Sequence, residues 1–302
     1  SKGMDTSAIM GFMNALMDVI KREKPDHLAV AFDKGGSTYR YEMYQEYKAH
    51  RDETPEAIKI AVPYIQELLQ AMHIPIMVNE ILEFLQIMPG QIGLDATLGY
   101  GGHTLEMLKK LDSKGHLYSL DIDSIELPKT KERLEKLGYG SDILTTKQLN
   151  FSDIDEVVLE SGLLNFVLAD LGVSSMQIDN PERGFSYKKN GPLDLRMNPE
   201  IGIPASTRIR RLSQEALEGM LIENADEPHA EVISKAIVKE IKNGMHIDST
   251  TKLQNIIKNA LQFVHPSSRD NEIKKSCQRT FQALRIDVNR EFESIYNFLE
   301  KL

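Results

Sequence analysis

The spacing of apolar residues changes character along this chain. Ile9, Met13, Leu16 and Ile20 recur at helical spacing and predict an amphipathic helix that ends near Lys24-Pro25. His27-Leu-Ala-Val-Ala-Phe-Asp33 is a short apolar run closed by an acid, and reads as a buried strand. A charged segment, 34–54, leads to a helix opened by Pro55-Glu56. A new pattern begins at His73. Residues 81–85 look helical, and then apolar runs alternate with helical stretches. Strands are expected over 91–96, 115–121, 142–147 and 165–170, and helices over 103–112, 124–137 and 152–161. Alternation at this spacing predicts an α/β fold, a parallel sheet with helices on both faces. From Ala205 onward the pattern is helical. Ser213-Gln-Glu-Ala216 reads as a helix start, Leu217, Met220 and Leu221 supply an apolar stripe, and further helices are expected over 227–243, 250–262 and 289–301.

In such a sheet, ligands sit at the carboxyl ends of the strands. The first strand runs into Asp95-Ala-Thr-Leu-Gly-Tyr-Gly-Gly-His-Thr104, a Gly-rich turn followed by a helix. Glycines let backbone approach a ligand closely, and a helix N-terminus offers free N–H groups. The spacing Gly99-x-Gly101-Gly102 is not the G-x-G-x-x-G dinucleotide fingerprint. The second strand ends at Asp121, whose carboxylate can accept both ribose hydroxyls of an adenosine. The fourth ends at Asp170. A Gly-rich turn or an acidic strand end occurs in many α/β proteins, but convergence from three strands favours a cofactor site. Residues 168–199 are too polar and too rich in Gly and Pro for a core element, and read as a functional or disordered loop.

Charge and cysteine content narrow the setting. The net charge of −9 excludes a protein coated in basic residues, though not a local basic groove for RNA. A single cysteine, Cys277, excludes an internal disulfide and a CxxC metal site and fits a reducing cytoplasm. No apolar run approaches the ~18 residues of a membrane span, and no signal peptide is visible.

Two resemblances follow from longer motifs. Ser1-Lys-Gly3, Ala8-Ile-Met-Gly-Phe12, Ala29-Val-Ala-Phe-Asp33, Thr38-x-Arg40, Glu46-Tyr-Lys-Ala49, Arg51 and Pro55 make residues 1–72 resemble part of the 5′-nuclease domain of bacterial DNA polymerase I. That family uses a strand-end acid for catalytic metal and following basic residues for DNA phosphates, here Asp33, Arg40, Lys48 and Arg51. The family's first strand, with its own aspartate, and its next acidic cluster are not found. Several carboxylates must converge on such metals, so this segment is expected to be inactive, and no metal site is assigned.

His73-Ile-Pro75, Glu80, Asp95 to His103, Leu120-Asp-Ile-Asp123, Asp170-Leu-Gly-Val-Ser-Ser175, Gln177, Pro181-Glu-Arg-Gly-Phe185, Gly191-Pro-Leu-Asp-Leu-Arg-Met197, Arg279 to Ile286 and Val288-Asn289-x-Glu291 carry the second. By these, residues 73–302 resemble the bacterial RsmH (MraW) family of 16S ribosomal RNA cytosine-N4 methyltransferases. The resemblance implies a Rossmann-like cofactor domain over 73–180, a helical substrate-recognition insertion over 181–288, and a return to the sheet domain over 289–302. It implies S-adenosylmethionine as cofactor and 16S rRNA of the small ribosomal subunit as partner, with DNA as a further candidate partner for the N-terminal segment. Gly101, Gly102 and His103 would line the methionine end, Asp121 the ribose and Phe151 the adenine, with Asp170 and Gln177 closing the pocket. Taken alone, Phe151 reads equally as core, Gln177 as a loop amide and His103 as a helix cap.

Cytosine N4 is a poor nucleophile because its lone pair is delocalised into the ring. Asp170 is therefore the candidate catalytic acceptor for the N4 hydrogens. Arg183, Arg196, Arg279 and Arg285 fall inside the motifs and are expected to contact RNA or organise the site; Arg208, Arg210 and Arg211 read as solvated charges. The family pattern continues with a Gly-Gly-Arg turn and a strand ending in Ser-Phe-His-Ser, whereas this sequence stops at Leu302. The expectation is an exposed apolar sheet half and impaired methylation. The two resemblances meet at Met72-His-Ile-Pro75, as a recombination, a gene-assembly artefact or a deliberate fusion would each produce. The alternative function is a nucleic-acid-binding, catalytically inactive nuclease fragment.

Overall fold

Four parallel strands frame the molecule: β1 (Ile92–Asp95), β2 (His116–Asp121), β3 (Leu144–Gln148) and β4 (Phe166–Leu168), in the order β3-β2-β1-β4. The computed structural model describes residues 78–302. The two expected helices and the strand of the first 77 residues, and Asp33, Arg40, Lys48 and Arg51, lie outside the described residues.

Each strand falls within one or two residues of its expected place. Strands buried on both faces read as unbroken apolar runs, and Leu94, Leu117 and Leu120 are fully buried. Gly93 pairs with Phe166, and a Cβ at Gly93 would sit 2.0 Å from Phe166 Cζ. The close approach of β4 thus needs glycine there. Winding runs from β1 through β2 to β3, then reverses, because β4 lies on the other side of β1. A crevice opens at such a reversal, at the carboxyl ends of the strands.

Helices cover both faces. On one, α2 (Gly102–Leu111) and α3 (Glu126–Lys136) pack Met107, Leu108, Leu111, Leu127 and Leu134 against Leu117, Leu144 and Phe166. Leu82 and Leu85 of α1 (Val78–Leu85) pack on this cluster. On the other face, Ile154 and Val157 of α4 (Ile154–Ser161) meet Leu94, Tyr118 and Leu120. No strand among the described residues pairs with the outer edge of β4.

A short α5 (Ser175–Asp179) follows β4, and then the helices α6 (Ala205–Arg211), α7 (Gln214–Ala225), α8 (Ala230–Lys242), α9 (Thr250–Ala260) and α10 (Pro266–Asn289). They enclose a separate core that includes Leu217, Leu221, Ile233, Ile237, Leu253, Ile257, Phe281 and Leu284, joined by Leu193 and Leu195 of the preceding loop. Ser213 caps α7 as its sequence predicted, its side chain accepting from Ala216 N at 3.1 Å. The longest helix among the described residues, α10, was not expected. Its opening residues, Pro266 to Asn271, are polar, and Ser276 and Thr280 interrupt its apolar stripe although both are buried. The expected helix over 289–301 begins after a break. Arg290 takes a left-handed conformation (φ 49°), ending α10 and starting α11 (Glu291–Lys301). That turn brings α11 back onto the sheet, where Phe298 is buried against the α4 face.

Candidate active site

A cavity of about 570 Å³ lies over the carboxyl ends of β1, β2 and β4. Its floor is the turn 96–103 with Asp121 and Ile122. Leu149 to Phe151 and Asp170 to Ser174 form two sides, and Met197, Asn289, Glu291, Ser294 and Ile295 close the outer wall. The Gly-rich turn, Asp121 and Asp170 therefore converge as their strand-end positions predicted.

The turn is held from beneath. Asp95 is buried and accepts hydrogen bonds from Thr97 N (3.1 Å) and Thr104 Oγ1 (2.6 Å). Burial pushes its carboxyl above the usual range, against the lowering effect of those two donors. From α3, Thr130 Oγ1 donates to Gly99 O at 2.7 Å, and Arg133 donates to Tyr100 O with its guanidinium 4.0 Å from the Tyr100 ring centre. Gly101 has φ 77°, and a Cβ there would lie 3.0 Å from Thr130 Cγ2, so both conformation and space call for glycine.

Asp121 accepts one backbone N–H on each oxygen, from Gly99 on Oδ2 and Asp123 on Oδ1, both at 2.9 Å. Each oxygen keeps a further lone pair for a ligand hydroxyl. Desolvation pushes its pKa up to about 6, opposed by the same two N–H groups. His103 lies inside α2, whose N-cap is Gly101, so it does not cap the helix. Its Nδ1 is 3.7 Å from Asp170 Oδ2, and its Nε2 is buried with no partner among the described residues. The Asp170 side chain is 66% exposed at the cavity rim, and its N–H donates to Thr97 Oγ1 at 2.7 Å. Phe151 lines the cavity and also packs on core, edge-on to Phe298 with ring centres 5.4 Å apart. Gln177 lines the cavity too, but its amide is used internally. Its Oε1 accepts from Ser174 N at 3.0 Å, and its Nε2 donates to Asp123 Oδ2 at 2.8 Å.

The four motif arginines divide. Arg183 does not front an RNA groove: it is only 4% exposed and forms an ion pair with the fully buried Asp123 at 2.8 Å. An ion pair this deep cannot also meet a phosphate at the surface. Arg196 grips Asp194 with two bonds of 2.7 Å, and Arg285 grips Glu291 at 2.7 and 3.0 Å. Arg279 is half-buried and has no hydrogen bond or ion pair among the described residues. Arg208, read from sequence as solvated, is instead paired with Asp287 at 2.7 Å.

Sequence reasoning passed over Asp123, Asn289 and Glu291. Each stood inside a quoted motif, Leu120-Asp-Ile-Asp123 or Val288-Asn289-x-Glu291, and that was the available signal. Nothing local marks Asp123 as buried or Asn289 as part of the cavity wall.

The MraW methylase family matches residues 70–302, and the 5′-3′ exonuclease, N-terminal resolvase-like domain matches residues 1–83. Ribosomal RNA small subunit methyltransferase H 2 of Alkaliphilus metalliredigens is 71% identical over 231 residues, which are 76% of this chain and 66% of that protein. Ribosomal RNA small subunit methyltransferase H 1 of Lachnoclostridium phytofermentans is 67% identical, over 76% of this chain and 63% of that protein. The protein of the same name from Agathobacter rectalis is 60% identical, over 76% and 66%. The chain thus spans between 63% and 66% of the length of these three relatives.

Proposed function

This chain belongs, over residues 70–302, to the MraW methylase family, and on that premise we propose that it transfers a methyl group from S-adenosylmethionine to the N4 amine of a cytidine in 16S rRNA of the small ribosomal subunit. The observation that carries this reading is the Asp121 carboxylate, placed on the cavity floor with one lone pair free on each oxygen.

The residues fit the cofactor. A cavity of about 570 Å³ suits a nucleoside with an amino-acid tail. Asp121 would hold the ribose diol, and Phe151, Leu149 and Ile122 offer apolar surface to a purine. Gly101, Gly102 and His103 leave room at the head of α2 for the methionine end, and Gln177 and Asp170 bound the remaining side. S-adenosylmethionine supplies a methyl carbon on a sulfonium, activated without help from the protein. The chain's own task is alignment and charge. The target base must leave its stack to enter the cavity. Asp170 would then accept a hydrogen bond from the N4 amine, favour the pyramidal attacking form, offset the positive charge that develops on nitrogen and take the proton that N4 sheds, passing it to solvent at the cavity rim. Such a substrate places the protein in the cytoplasm.

Methyl transfer to 16S rRNA and to small-subunit particles, mapped to the base by mass spectrometry, tests the function. Asp170→Asn is expected to lower kcat by about 10²- to 10³-fold with cofactor affinity kept, the scale for loss of one charge-stabilising group. Unchanged transfer in this variant would sink the role given to Asp170. Calorimetric binding of S-adenosylmethionine that persists in Asp121→Ala would sink the cofactor site. A second reading, DNA binding by the N-terminal segment, rests on the exonuclease-domain match over residues 1–83; it requires DNA affinity that survives deletion of residues 73–302.

A further inference from the structure

A chain of polar contacts, buried at the sheet and half-buried beyond it, runs from the sheet to the outer wall of the cavity. Asp123 stands just past the end of β2 with its side chain fully buried. Its Oδ1 accepts from Ile125 N and Glu126 N at 2.9 and 3.2 Å, which fixes the carboxylate at the start of α3. Its Oδ2 accepts from Gln177 Nε2 and Arg183 Nη1, both at 2.8 Å. The guanidinium then reaches the next loop, with Nη2 donating to Arg196 O at 3.1 Å and Met197 O at 2.7 Å. Met197 lines the cavity, and its N–H donates to Asn289 Oδ1 at 2.7 Å. Asn289 Nδ2 donates in turn to Leu195 O and Arg285 O at 2.7 and 2.8 Å, immediately before the left-handed turn at Arg290.

Sheet and helical insertion each have their own apolar core, so neither is built around this chain. A buried ion pair is weak evidence for stability, since a well-packed apolar pair of similar volume often serves as well or better. What an apolar pair cannot do is fix direction. The planar guanidinium aims separate N–H groups at a carboxylate and at two carbonyls, a geometry the point charge of lysine does not reproduce.

We propose that Asp123 and Arg183 are positioning residues for methyl transfer, holding the Met197–Asn289 wall so that the incoming base is seated in line with the donor. Arg183 makes no contact with RNA phosphate. The proposal rests on the methyltransferase reading above for its substrate, and on the geometry for the coupling.

Three variants of the full chain test it, studied well below their melting temperatures: Arg183→Lys, Asn289→Leu, and the charge-neutral pair Asp123→Asn with Arg183→Gln. Arg183→Lys and Asn289→Leu should each lower kcat on 16S rRNA at least tenfold while S-adenosylmethionine binding by calorimetry shifts less than threefold. Combined, they should lose little more than the worse single variant, because both release the same segment. Amide hydrogen exchange at Leu195 and Met197 should quicken in all three. In the charge-neutral pair, the slope of log RNA affinity against log salt should match that of the wild type. A slope shallower by about 0.7–0.9 would identify a phosphate contact and overturn the proposal. So would a fall in melting temperature alone, with kcat and exchange at Leu195 and Met197 unchanged. Exchange is read without turnover. A wild-type chain inactive on 16S rRNA therefore removes the function proposed above, while unchanged exchange in Arg183→Lys removes this inference by itself.

Discussion

The strand-end loops and the helical insertion handle polar groups in opposite ways. On the cavity floor and rim, three groups keep capacity for a ligand: Asp121 has spare lone pairs on a costly buried site, His103 Nε2 has no partner among the described residues, and Asp170 stands exposed. Within the insertion and where it meets the sheet, charges are consumed internally, as in Asp123 with Arg183, Arg196 with Asp194, Arg208 with Asp287 and Arg285 with Glu291. The lesson is that a basic residue in a motif is not thereby a nucleic-acid contact. Groups that meet a ligand are left unfinished by the fold, and groups that build the site are finished by it.

Three experiments press on that contrast, the largest expected effect first. Asp123→Ala strips the counter-charge from buried Arg183, and should destabilise the protein by about 3–5 kcal/mol in denaturant titrations. A loss under 1 kcal/mol would show that this pair is not internally consumed, and the contrast would fail there.

Asp121→Asn separates the charge of this group from its hydrogen bonds. With its pKa pushed up to about 6 by burial, folded Asp121 keeps a proton that the unfolded chain, titrating near 4, has already lost. Stability contributed by this group therefore falls as pH rises from about 4 to 6, by at most about 3 kcal/mol, and stays lost above that window. Asn carries no such cost, but its Nδ2 cannot accept from Gly99 N or Asp123 N, and a buried donor left unpaired costs about 1–3 kcal/mol. The two effects oppose, so the melting temperature at pH 7.5 should change little while the dependence between about pH 4 and 6 is lost. The variant should also bind S-adenosylmethionine about 10- to 100-fold more weakly, the scale of a lost hydrogen bond to a charged acceptor. For the wild type, calorimetry from pH 5 to 8 should show affinity rising through pH 6 and then levelling. A flat profile would mean that the carboxylate does not receive the ribose.

The smallest effect sharpens the comparison from the insertion side. Ser213→Ala removes the N-cap of α7 and should cost about 1 kcal/mol by thermal melting, with cofactor affinity unchanged. A parallel loss of cofactor binding would mean that the insertion and the cavity are tied more broadly than through the chain of contacts at Arg183.

Much of this architecture can be read from residue order. Short apolar runs such as Leu117 to Leu120, too brief for helices and alternating with helical stretches, leave the parallel α/β arrangement as the simple solution, and the structure covers both of their faces. The Gly-rich turn, Asp121 and Asp170 follow, since strand ends in such sheets point to one side. Helix α10 is less legible. Its contacts come from helices α6, α7 and α9, and buried Ser276 and Thr280 break a stripe that local spacing would recognise.

Residue order alone carries the strand positions, the cap at Ser213 and the family motifs, because each is set by neighbours within a few residues. Which arginines are spent, and which wall closes the cavity, is settled by packing between distant segments. Asp123 and Arg183 stand 60 positions apart, and Met197 and Asn289 stand 92 apart. Burial and charge pairing are properties of the space where such residues meet, and spacing along the chain carries no record of that space.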